Sequence, residues 1–139
     1  MSLLRVFSIF LISMQDQTIN AENTLNHVNA LRWEHRLIIV HLDQNEEPYL
    51  TQFEAARDSI EERHIIWFVL TPQHIFSNWP GPIHSEFRES LVSRYSGKPP
   101  TVLLVGKDTG IKNKSKTLDL ENLFRQIDSM PMRIQEMGR

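Results

Sequence analysis

At 139 residues the chain has the length of one domain and can enclose a hydrophobic core without covalent staples. Its 40% hydrophobic and 23% charged residues exclude the highly charged, polar balance of disordered chains, and a formal charge of −2 leaves no electrostatic footprint for nucleic acid or an anionic membrane. With no cysteine anywhere, a thiolate is unavailable as nucleophile, metal ligand or crosslink, so dithiol–disulfide chemistry is excluded for this chain alone.

Arg5 precedes an uncharged run from Val6 to Met14 and then the polar stretch Gln15 to Asn20, a pattern that resembles an export signal cleaved after Ala21. Residues 1–21 are expected to be a signal peptide and 22–139 the single mature domain, periplasmic or secreted. Against this, Ile19 stands where a small residue is preferred, and the alternative is an N-terminal extension of a cytoplasmic protein. The run is far below the ~20 apolar residues a helix needs to cross a bilayer, so no transmembrane span is expected once the signal is removed.

Next, Thr24 is placed to cap a short helix carrying Leu25, Val28 and Leu31 on one face and ending near Trp33. Leu37-Ile38-Ile39-Val40-His41-Leu42 is an almost unbroken apolar run rich in β-branched residues, the pattern of a strand covered on both faces. Asp43 to Glu47 is a polar turn, and Pro48 suits a first helical position because its missing N–H costs nothing there. Tyr49, Phe53, Ala56 and Ile60 then fall at helical spacing, opposite Glu54, Arg57, Asp58 and Glu61. Ile65 to Leu70 is a second buried-strand run, and two such strands joined by an amphipathic helix predict a parallel βαβ unit.

Thr71 to Pro82 has loop composition, and Pro82 is expected to open a helix with Ile83, Phe87, Leu91 and Tyr95 on one face. Gly97-Lys98-Pro99-Pro100 breaks it, and Thr101 to Val105 is a third strand. Gly106 to Gly110 follows as a turn too short for a parallel crossover, so Ile111 and its neighbours must return as an antiparallel hairpin. Leu120, Leu123, Phe124 and Ile127 form a last amphipathic helix opening near Asp119. Pro131 is expected to end it, leaving Met130 and Met132 as a docked tail or, if exposed, a soft patch for another protein.

The order of these elements is that of the thioredoxin fold, an α/β class with a three-layer α/β/α sandwich. It has a mixed central sheet, in which a βαβ unit is followed by a β-hairpin and a C-terminal helix. The Pro100-Thr101 pair leading into the third strand resembles the cis-proline step of thioredoxins, which assigns a cis bond to Pro100 by that likeness. More specifically, Val105-Gly106-Lys107-Asp108-Thr109-Gly110-Ile111-Lys112, then Ile127 to Arg133 with Glu136-Met137 beyond, resembles a family of thioredoxin-like domains of unknown function numbered 4174. Trp33 to Arg36, Gln52 and Glu62-Arg63 fit the same pattern, so the likeness runs from Leu31 to Met137. Thr109 departs from it where the family usually has glycine, and His64 where an acidic residue commonly follows the arginine. The resemblance implies bacterial exported proteins, with relatives in extracellular sushi-repeat proteins, and implies no settled activity.

Ligands of open α/β sheets bind beyond the carboxyl ends of the strands, which points to Asp43–Pro48 and the Pro99-Pro100 turn. The carboxylates of Asp43, Glu46 and Glu47 there either self-cap the helix start or hold a hard cation with carbonyl help, although no EF-hand spacing is present. His41 and Asp43 are the candidate catalytic groups, His41 being either a base or a buried, hydrogen-bonded core histidine. None of the six histidines pairs at metal-binding helical spacing, so no metal and no cofactor is expected. Arg36, Arg63, Lys107, Asp108, Lys112 and Arg133 are the polar positions the resemblance picks out, as a binding surface for a protein partner or as structural ties. No triad, P-loop or HExxH motif is present, so a binding or interaction module leads over a cysteine-independent enzyme.

Overall fold

The computed structural model describes residues 23–138, so the expected signal peptide, residues 1–21, lies outside the described residues. The two central apolar runs form β1 (Arg36–His41) and β2 (Ile65–Leu70), each buried along its whole length. They pair in parallel with Leu37 beside Ile66 and Val40 beside Val69. The chain between them holds α1 (Glu47–Ala55) and α2 (Arg57–Glu62), which completes the βαβ unit. Beyond come β3 (Ile75–Ser77), α3 (Phe87–Arg94), β4 (Thr101–Val105), β5 (Ile111–Ser115), α4 (Leu120–Asp128) and α5 (Pro131–Met137).

The sheet order is β3-β2-β1-β4-β5. β4 runs antiparallel to β1, with Leu103 opposite Ile39, and β5 returns antiparallel to β4. Alternate residues of each central strand point to opposite faces, which explains why both faces must be covered. Leu37, Ile39, Phe68 and Leu103 pack with Phe87 and Leu91 of α3. Ile38, Val40, Val69 and Leu104 pack with Phe53 of α1 and with Leu123 and Ile127 of α4. The result is the expected three-layer α/β sandwich, and the Pro99–Pro100 peptide bond is cis.

Four local expectations are corrected. The first helix is only a 3-10 turn at Val28–Leu31, capped by the His27 ring and not by Thr24. Leu25 instead makes a parallel bridge to Ile83, its N–H donating to the Pro82 carbonyl and its carbonyl accepting from the His84 N–H. That bridge commits the backbone of residues 82–84, so the helix expected at Pro82 starts at Phe87. The 71–82 loop contains the short strand β3, paired antiparallel to β2. Finally, Pro131 ends α4 but also opens α5, its missing N–H being harmless in a first turn.

Candidate functional site

The registers give the sheet two distinct ends. Arg36, His64 and Lys107 gather at the end where β1 begins, while Asp43 and Pro100 lie where β1 finishes.

At the first end the Arg36 side chain, 1% exposed, donates from Nη1 and Nη2 to the two Glu136 carboxylate oxygens at 3.1 and 3.2 Å. Lys107 Nζ donates to the same carboxylate at 2.7 Å and to Nδ1 of His64 at 2.8 Å. Burial alone would raise the Glu136 carboxyl, but the Arg36 and Lys107 hydrogen bonds outweigh it and hold the group at about 2. Burial and the adjacent ammonium of Lys107 push the His64 imidazole down. Alongside, Arg63 forms a two-point pair with Asp128, and Arg133 bridges Asp128 and Glu62. Burial by protein does not leave these cations idle: each has a carboxylate of the chain itself.

Asp108 and Lys112 lie in the β4–β5 hairpin. Asp108 accepts from the Gly110 N–H and pairs with Lys112 Nζ at 2.9 Å, and the Lys112 hydrogen bond, ahead of that from Gly110, holds the Asp108 carboxyl below its usual range. Of the six positions expected as one binding surface, Arg36, Arg63, Lys107 and Arg133 converge on a single ion-paired network; Asp108 and Lys112 pair with each other. Glu136 and Asp128, the carboxylates that organise the network, were absent from the sequence-level site, because Arg36 and Arg63 reach them from 100 and 65 residues away.

At the opposite end a cleft of about 590 Å³ opens between the turn after β1 and the cis proline. Its walls include Asp43, Gln44, Asn45, Tyr49, Gln52 and Thr117, with Pro48, Pro99 and Pro100 as apolar ridges. The first helix begins here with Pro48 in its first turn and Asn45 in a left-handed conformation (φ 65°), which asparagine tolerates well. The expected self-capping is not formed: Glu46 occupies the N-cap without a side-chain cap bond. Among the described residues no group of acids and histidines has metal-holding geometry.

His41 does not belong to this cleft. Its Nε2 lies 2.8 Å from the Tyr95 carbonyl, to which it donates, and burial pushes the imidazole pKa down. His41 and Asp43 are therefore not brought together. A groove of about 650 Å³ at the β2 edge is lined by Trp67, Trp79, His35 and His64, and nothing in the sequence signalled it. Its floor is closed by Asn78, whose side chain accepts from the Trp67 N–H and donates to the Ile65 carbonyl, imitating a neighbouring strand.

A family model described as Domain of unknown function (DUF4174) matches residues 27–136. No curated protein matches the sequence. Among solved structures, the mitochondrial 2-Cys peroxiredoxin from Plasmodium falciparum is similar in fold, with a TM-score of 0.51 over 81% of this chain and 84% of that one. At 8% sequence identity that likeness concerns the fold alone.

Proposed function

Because the chain belongs to the DUF4174 family of domains of unknown function and carries a thioredoxin-like fold with no cysteine, we propose that it is an exported binding module whose recognition surface is the cleft between Asp43 and Pro100.

One contrast carries this reading. The charged side chains converging on the first end of the sheet are satisfied by partners within the chain, whereas the side chains of Asp43, Gln44, Asn45, Tyr49, Gln52 and Thr117 have no hydrogen-bond partner among the described residues. Polar groups converging in a concave site with unspent hydrogen-bonding capacity are what a recognition surface needs. Their position beyond the carboxyl end of β1 is where open α/β sheets place ligands. Export is supported by the Arg5 to Ala21 pattern, and mass spectrometry of the native N-terminus tests it.

The second reading, a cysteine-independent enzyme, draws on Asp43 in the cleft. It is disfavoured because the nearest candidate base, His41, is held on the Tyr95 carbonyl away from it. A substrate screen beside a quantitative pull-down separates the two. Loss of a captured partner in Asp43→Ala or Tyr49→Ala, without loss of stability, supports binding. Turnover abolished by Asp43→Ala overturns it.

A further inference from the structure

Although the chain has a net charge of −2, all five of its lysines fall between positions 98 and 116, where Asp108 is the sole acid. Two are neutralised, Lys107 by Glu136 and Lys112 by Asp108. Lys98, Lys114 and Lys116 make no ion pair among the described residues, yet all three line one groove of about 520 Å³ together with Pro99, Pro100 and Ser115. Among the described residues no acidic side chain lines it.

The groove spans the start of β4 and the end of β5, the outermost strand of the sheet on that side. Lys114, in β5, stands directly opposite Leu103, and Lys116 follows in the bend just beyond the end of the strand. Lysines on an edge strand guard against indiscriminate strand pairing. Such a guard works by charge and is therefore selective: it repels a basic edge, penalises a neutral one through the desolvation of unpaired ammonium groups, and admits an acidic one. Lys98 is not on the edge at all; it reaches the groove from the loop before β4, and guarding β5 does not require it.

We propose that this groove docks an extended, carboxylate-rich segment of a protein partner, laid across the start of β4 and the end of β5 with its acidic side chains facing Lys98, Lys114 and Lys116. The proposal rests on the reading of the domain as a binding module. Pro99 and Pro100 border both this groove and the Asp43 cleft, so a single partner passes over the cis-proline ridge from one to the other.

The test uses the full chain and a fluorescein-labelled peptide of alternating glutamate and valine, titrated by fluorescence anisotropy at about 50 and 200 mM salt. An alternating lysine–valine peptide, inorganic phosphate and phosphatidylglycerol vesicles serve as comparisons. The expected result is binding of the acidic peptide that weakens with salt, and about a tenfold or greater loss of affinity in Lys114→Glu/Lys116→Glu at unchanged melting temperature. Absence of binding at about millimolar peptide, unchanged affinity in the charge-reversed variant, or preference for vesicles or phosphate over the peptide overturns the proposal. If the acidic peptide fails while partner capture through Asp43 and Tyr49 persists, only the acidic segment is removed; if both fail, the binding-module reading goes with it.

Discussion

Arg36 and Glu136, 100 residues apart in the chain, meet as a two-point ion pair that fastens the last helix to the start of the first strand. The guanidinium is 1% exposed, and its other partner is the Arg63 carbonyl. Removing Glu136 therefore leaves a buried charge with too few partners. Arg36→Ala and Glu136→Ala should each lower stability by about 3–5 kcal/mol, and the double variant by less than their sum, as measured by urea unfolding. Strict additivity would show that the two side chains do not act together.

Stability should fall on acidification in two stages. His35, His41 and His64 are all held below the ordinary histidine value of 6.5, mainly by burial, so the unfolded chain binds protons first as the pH drops below that value. Glu136 acts lower down: its stabilisation is complete above its unfolded value of 4.5 and is lost as the pH falls toward about 2. That gap corresponds to on the order of 3 kcal/mol. Urea midpoints measured between about pH 8 and 3 should show both losses, the lower one reduced in Glu136→Gln to the part that Asp108 and Asp128, also held below the usual carboxylate range by their hydrogen bonds, contribute. A flat profile below pH 4.5 would contradict the role given to Glu136.

Thr109 has φ of 75°, a left-handed conformation that a β-branched residue adopts only with strain. Thr109→Gly should raise stability by up to about 1 kcal/mol, the relieved strain exceeding the added chain entropy. Its hydroxyl accepts from the exposed Arg94, while the Tyr95 hydroxyl donates to the backbone carbonyl, which glycine retains. A loss of stability on thermal unfolding would mean that the Arg94 contact outweighs the strain.

Leu103 is 1% exposed in β4, which lies between β1 and β5, and packs in the layer beneath α3. Leu103→Ala should cost about 2–5 kcal/mol through lost burial and the cavity left behind. A negligible change in chemical denaturation would place β4 outside the core.

The central strands were legible in the sequence because burial on both faces turns alternation into continuous apolar runs, as in Ile65 to Leu70. The hairpin and α4 were legible from spacing, since Gly106 to Gly110 is too short for anything but a tight return and Asp119 caps the helix it opens. β3 was not, because three half-buried residues, Ile75–Ser77, carry too short a pattern between prolines. α5 was missed because its polarity is reversed: Arg133 is buried by ion pairing while Met132, Ile134 and Met137 are exposed. At the site, the cleft position followed from topology, and Pro100 from family likeness. The sorting of Arg36 and Arg63 into paired structural ties needed the Glu136 and Asp128 carboxylates brought in by the fold, which no local pattern discloses.

The absence of cysteine makes single introduced thiols specific attachment points. A benzophenone photo-crosslinker attached to Gln44→Cys, in the cleft, and to Glu62→Cys, at the other end of the sheet, tests directly which surface meets a partner. Crosslinked adducts should form from position 44 and not from position 62. Adducts formed from position 62 alone would place recognition at the ion-paired end and contradict the assignment of the cleft.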